Sequence, residues 1–312
     1  MSEPTPNWER EVLEKLALSA IQEQRRSRHW SILFKTLGFL YLFIVLFLAA
    51  GWFGSDGVSI KEHTALVDLQ GVIASDQASA DSVISSLQGA FKDKKTKGVI
   101  LRINSPGGSP VQAGQIYDEI RRLRALHPKT PLYAVIDDIC ASGGYYVAAG
   151  ADKIFVDKAS IVGSIGVLMD GFGFTQSMQK LGVERRLLTA GENKGFLDPF
   201  SPVDPRQAAF AKQMLGEIHA QFIGVVREGR GKRLQETPEM FSGLVWSGEK
   251  SIQLGLADAL GNVESVARDV IKAEDIVDYT QREGLAARLA GRLGASVAKA
   301  LMPFEQTGVR LR

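Results

Sequence analysis

Apolar residues are distributed along this chain in three patterns. The first is continuous: from Thr36 to Ser55, "TLGFLYLFIVLFLAAGWFGS", 20 residues pass without a charge. That is long enough for a helix to cross a hydrocarbon layer of about 30 Å. About 35 residues precede it, more than a cleavable signal peptide places ahead of its apolar region, so the run reads as an uncleaved anchor. The second pattern is the short β-branched run, in "ALVDLQG" (65–71), "GVILRI" (98–103), "PLYAVID" (131–137) and "KIFVD" (153–157). The third is helical spacing between those runs, over 80–93 and over 110–126 with Val111, Ile116, Ile120 and Leu123 on one face. Strand, turn and helix repeated in this way predict an α/β fold with a mainly parallel sheet.

Further along, Asp204 followed by Pro205 marks a helix start. Phe210, Met214, Ile218, Phe222 and Val225 then give that helix one apolar face, read as core. Four segments follow: 1–35, a leader with a short amphipathic helix; 36–55, a transmembrane helix; 56–280, the main domain; and 281–312, an amphipathic tail with Arg288, Arg292 and Lys299. The tail has the pattern of a helix lying on a membrane or a partner, or of a mobile terminus.

Charge assigns the sides of the membrane. Arg25, Arg26, Arg28 and Lys35 crowd the N-terminal flank of the apolar run, whereas Lys61 on the far flank is accompanied by Asp56 and Glu62. The positive-inside rule then leaves the N-terminus in the cytoplasm and the main domain outside it, with Trp30 and Trp52 at the interfaces. The expected location is the inner (cytoplasmic) membrane, crossed once. A formal net charge of +2 and the lack of a long basic block argue against a nucleic-acid partner. The single cysteine, Cys140, excludes a disulfide framework and is read as a buried strand residue.

Two glycine-rich loops fall at the carboxyl ends of predicted strands, where open α/β sheets place their chemistry. They are "NSPGGS" (104–109) and "CASGG" (140–144). Ser142 either caps the helix it opens or presents a free hydroxyl. Gly143 and Gly144 remove side chains beside that hydroxyl, and the amide after Ser142 points where an oxyanion forms. Gly107 or Gly108 is a candidate second donor, against the alternative of an ordinary Pro-Gly turn. None of His29, His63, His127 and His219 lies in a glycine-rich loop or beside a strand end, so a Ser-His-Asp triad has little support. Lysine remains as base, provided that desolvation lowers its pKa from about 10.4. Lys194, 52 residues downstream and followed by Gly195, Phe196, Leu197 and Phe200, is the candidate that apolar surface could enclose.

"NSPGGS", "ASGGYYVAAGADKIF", "GSIGV" and "ENKGFLDPFSP", in that order after one membrane span, resemble the signal peptide peptidase A (protease IV) family in its short form. The resemblance runs from about residue 60 to about residue 270. It implies a ClpP/crotonase-like fold of repeated β-β-α units and a serine protease with a Ser–Lys dyad. Ser142 matches the nucleophile, Lys194 the general base and Ser164 a serine that orients the lysine amine. Gly107, Gly108 and Gly143 match the oxyanion hole. It further implies hydrophobic peptides such as remnant signal peptides as substrates, no metal or cofactor, and a ring- or dome-like homo-oligomer. In such an assembly the lysine of one subunit reaches the serine of its neighbour. Two other classes remain open: a crotonase-like enzyme acting on acyl-CoA, and an inert membrane-tethered scaffold.

Overall fold

The computed structural model describes residues 7–49 and 61–281, which belong to two separate units. In the first unit, α1 (Asn7–Ala49) is one unbroken helix of 43 residues. The short leader helix expected before the anchor is therefore the lower part of a single rod. Its stretch Val12–Leu46 includes a window long and apolar enough to cross a membrane, with mean hydropathy 1.6. The end of the predicted span, residues 50–55, and the tail from 282 onward lie outside the described residues.

The second unit is built on one sheet. Its elements in order are β1 (His63–Gln70), α2 (Ala80–Lys92), β2 (Thr96–Ser105), α3 (Pro110–Leu126), β3 (Leu132–Ala141), α4 (Gly143–Ala148), β4 (Lys153–Val156) and β5 (Ile161–Gly163). They continue with α5 (Thr175–Lys180), α6 (Pro205–Arg230), β6 (Val245–Ser247), α7 (Gly248–Gln253), β7 (Ala259–Leu260) and β8 (Ile276–Asp278). The path β6-β5-β3-β2-β1-β8 runs across the sheet, and β4 branches from β3 and carries β7. Every pairing is parallel except β5 with β6.

Alternate residues of these strands serve two cores, as the two-residue repeat of a strand requires. Val99, Leu101 and Ile103 of β2 face the larger core, beneath α2, α3 and α4. Ile100, with Leu66, Val135 and Phe155, faces a smaller one closed by Val263, Val266 and Ala267. Burial on both faces is why these strands read as nearly continuous apolar runs.

Helix starts follow the capping signals. Ser79, Ser109 and Asp204 each accept an amide hydrogen bond at the first turn of α2, α3 and α6. The predicted core face of α6 is only half correct. Of the five residues of that face only Phe222 is buried. Met214, Ile218 and Val225 are half-buried and Phe210 is 60% exposed, while Val226, next to the expected Val225, enters the core. In the first half of this helix Ala211 is buried and Phe196 stands edge-on to Phe210, but that cover is thin and leaves Phe210 largely open.

At its other end α6 is fastened by charge. Buried Arg230 donates to Gly255 O at 2.8 Å and to Asp258 at 2.9 Å, and Arg233 donates to the other Asp258 oxygen at 3.0 Å. Asp258 also accepts the Ile154 amide, which ties α6 to β4 and β7. Burial alone would raise the Asp258 pKa, but Arg230, the Ile154 amide and Arg233 outweigh it and hold the carboxyl below its usual value. Asp258→Ala, which leaves Arg230 buried without a counter-charge, is expected to cost about 3–5 kcal/mol in a urea titration. A depressed folded-state pKa also fixes the sign of the pH effect. The contribution of Asp258 is complete above the unfolded value of about 3.9 and is lost as pH falls below it through the lowered one.

Candidate active site

The β3–α4 junction carries Ser142. β3 is longer than its apolar run implies: it continues through Asp137 and Asp138 to Ala141. Residues 133–136 pair with β4 and residues 139–141 with β5, so the strand changes neighbour part-way. The change sets Ala141 opposite Gly163, and Ser142 and Ser164 each come next. The Ser142 amide donates to Gly163 O at 2.9 Å, and the Ser164 amide donates to Leu244 O at 2.7 Å. Both serines have positive φ, 51° and 52°. A non-glycine residue is held there only when its surroundings dictate it, and such strain collects at functional sites.

The position of Ser142 before α4 is that of a cap, yet its hydroxyl makes no capping hydrogen bond. This decides between the two readings of the sequence, because the oxygen is free for another use. It lines a cleft of about 580 Å³ together with Ser164 and Gly108.

Two amides stand beside it. Gly143 is the first residue of α4, so its N–H has no partner within the helix. The Gly107–Gly108 turn presses against it from the end of β2. A Cβ on Gly107 would lie 2.7 Å from both Gly143 N and Ser142 Cβ, and a Cβ on Gly143 would lie 3.3 Å from Gly108 N. Ile73 N–H donates to Gly107 O and Ser109 N–H donates to Ile73 O, a parallel bridge that turns the Gly108 N–H the other way. α4 has only six residues, so its dipole adds little and the two bare amides are the main feature.

The walls are apolar: Val167 and Leu168 after β5, Ile218 and Phe222 of α6, and Tyr146, four residues beyond Ser142. Tyr146 stands edge-on to Tyr117 and tilted against Phe222, and burial raises its pKa, so the ring is a neutral wall. Sequence reasoning did not single out Tyr146, although its i+4 spacing from Ser142 is a signal that could have found it; nothing local in the sequence marked α6 as the facing wall.

Lys194 is placed elsewhere. It is exposed, in a run of turns from Gly191 to Asp198, and does not line the cleft. Within one chain it is not enclosed by the apolar residues that follow it. Gly195, Phe196 and Leu197 instead line a second cavity of about 820 Å³ with Phe172 and Phe174. No histidine lines the Ser142 cleft; His219 Nε2 lies 3.2 Å from Ile165 O. Cys140, fully buried with its thiol pKa pushed up by burial, is chemically quiet, as its place in a strand suggested.

Comparison with known proteins gives the family of the chain. Residues 124–277 match the model of peptidase family S49, and residues 61–162 match the Clp protease model. A provisionally named protease of Methanocaldococcus jannaschii is 30% identical over 251 residues, which cover 77% of this chain and 80% of that protein. The chain belongs to peptidase family S49. A provisionally named signal peptide peptidase of Enterococcus faecium is 29% identical over 234 residues, 72% of this chain and 67% of that protein. A Brucella melitensis protein named as the Na(+)/H(+) antiporter NhaA is 43% identical over 216 residues. That match takes in 67% of this chain but only 29% of the antiporter's length. Within the S49 region, β3, α4 and β5 carry both strained serines.

Proposed function

We propose that this chain is a membrane-anchored serine endopeptidase that cleaves hydrophobic peptides, remnant signal peptides among them, through Ser142 and a lysine base, Lys194. The observation that carries the reading is the Ser142 hydroxyl, held in a strained conformation without a capping bond beside two bare glycine amides. In each cycle the neutral lysine amine removes the Ser142 proton as Oγ bonds to the scissile carbonyl carbon. The carbonyl oxygen becomes an oxyanion held by Gly108 and Gly143 N–H. The C–N bond then breaks, and the leaving amine takes the proton from the lysine ammonium. Water repeats the sequence on the acyl-enzyme, giving its proton to the lysine and its oxygen to the acyl carbon, and Ser142 regains its hydrogen.

Because Lys194 lies outside the cleft of its own chain, the amine is supplied by a neighbouring copy. The segment from 168 to 210 supports assembly. It exposes Leu168, Phe172, Leu181, Leu188, Val203 and Phe210, Leu188 to 94%, which is more apolar surface than a lone domain usually leaves in water. In this reading Ser164, next to Ser142 across the strand register, accepts a hydrogen bond from the lysine amine and orients it. α1 provides the anchor, with its arginines on the cytoplasmic side and the catalytic unit on the other, in the inner (cytoplasmic) membrane. Among the described residues that line the cleft none is Asp or Glu, and the serine hydroxyl beside two amides fits acyl transfer better than the acid–base work of a crotonase-type enzyme.

The test uses the full chain in detergent with fluorogenic peptides carrying apolar or charged residues before the scissile bond, and with acyl-CoA thioesters. Cleavage of the apolar peptides in preference to the charged ones is the expected result. Turnover of thioesters alone would overturn the proposal.

A further inference from the structure

Ser105, the last residue of β2, is fully buried in the larger layer of the fold. Buried serines commonly bond to a carbonyl of their own strand or helix. The Ser105 hydroxyl instead accepts a hydrogen bond from the Gly107 N–H at 3.1 Å. Its setting is tight. It pairs with Cys140 across β2 and β3, and a Cβ on Gly144 would meet Ser105 O at 3.0 Å and Ser105 Cβ at 3.4 Å. One residue therefore touches both sides of the catalytic turn: the start of α4 through its backbone and the Gly107–Gly108 loop through its hydroxyl.

The loop has few other restraints. Its glycines sit at φ +104° and +149°, conformations with shallow preferences of their own. Ile73 fixes the Gly107 carbonyl and the Ser109 amide. The Ser105 hydroxyl fixes the Gly107 amide and turns it away from the cleft. With those three groups engaged, the Gly108 N–H is the donor left to face Ser142.

We infer that Ser105 is a positioning residue, whose hydroxyl holds the Gly107 amide so that the next one, Gly108 N–H, is aimed at the oxyanion formed on attack by Ser142. The inference rests on the proposed catalytic role of Ser142. It gives Ser105 a task in the transition state and none in binding the substrate. Removing a whole oxyanion donor costs about 10²–10³ in rate. A donor kept but less well aimed loses less, about 10- to 100-fold in kcat, with KM within about twofold.

The experiment compares Ser105→Ala and Ser105→Cys with the wild-type full chain on the apolar fluorogenic peptide. It also measures the inhibition constant of a peptide aldehyde, which adds to a serine hydroxyl to give a tetrahedral hemiacetal. Cys keeps the size of serine but accepts hydrogen bonds weakly. Both variants are expected to lose kcat at little change in KM, and to bind the aldehyde more weakly by the factor lost in kcat. A Cys variant that works like the wild type would show that Ser105 only fills space, and would overturn the inference. So would a fall in activity that tracks the fraction unfolded in a thermal melt. Ser142→Ala is run beside them: if it cleaves like the wild type, the proposed function fails, whereas wild-type rates in both Ser105 variants with Ser142→Ala dead refute the positioning role alone.

Discussion

Ser142→Ala and Lys194→Ala, assayed separately on an apolar peptide, are each expected to lower kcat/KM at least about 10⁴-fold, the scale seen when a nucleophile or its base is removed. Mixed and reassembled in equal amounts, they should recover activity. In a head-to-tail ring, each site draws its serine from one copy and its lysine from the next. A random mixture then restores about a quarter of the sites, those pairing a Lys194→Ala copy, which keeps Ser142, with a Ser142→Ala copy, which keeps Lys194. The proposed sharing of sites is drawn from the position of Lys194, which is exposed and outside the cleft of its own chain. A mixture as inactive as its components, in particles shown to have exchanged subunits, would place the base within the same chain. Full activity in Lys194→Ala would move the base to another residue.

Gly107→Ala is the second change with a large expected effect. The φ of +104° already disfavours any side chain, and the added carbon would lie 2.7 Å from Gly143 N, 2.7 Å from Ser142 Cβ and 2.9 Å from Ala141 O. Two of those three atoms are backbone at the catalytic turn, so no side-chain rotation relieves the contact. Strain of this kind costs about 1–3 kcal/mol where the fold tolerates it. The displaced turn should lose about 10²–10³ in kcat through its oxyanion donors alone. Gly114→Ala and Gly216→Ala, in α3 and α6 with open space around them, are the controls. They should leave activity unchanged and raise stability by about 0.5–1 kcal/mol. Thermal melts and steady-state rates on the same preparations separate the two effects. Equal behaviour of Gly107→Ala and the controls would remove the turn from the mechanism.

The parts of the fold that local pattern dictates were legible in the chain. β1, β2 and β4 announce themselves as branched apolar runs, and α3 as a spaced face of which Ile116, Ile120 and Leu123 are buried while Val111, in the first turn, is exposed. β3 was read four residues short, because Asp137 and Asp138 break the apolar run. What sustains the strand there is its exchange of neighbours from β4 to β5, a tertiary event. β6 and β8, of three residues each, are too short to show a period. Phe210 was assigned to the core by spacing alone, but spacing defines a face of a helix and does not supply what covers it.

The same division holds at the site. Ser142, Ser164, Gly107 and Gly108 stand at strand ends, where sequence order and sheet topology together place them side by side. Lys194 has no such local frame: the apolar residues that follow it and the motif resemblance pointed to it, but within one chain those residues do not enclose it. Ser105 went unnoticed because its importance lies in one amide two residues away, and a serine closing an apolar strand looks unremarkable in a sequence.

The exposed lysine has a bearing on how a cell would keep such a protease safe. On the proposed two-copy site, a lone chain carries both Ser142 and Lys194 but does not bring them together, and so would be idle by itself. Under that proposal, competence would come only with assembly, so that local abundance would act as an on-switch and dilution as a brake.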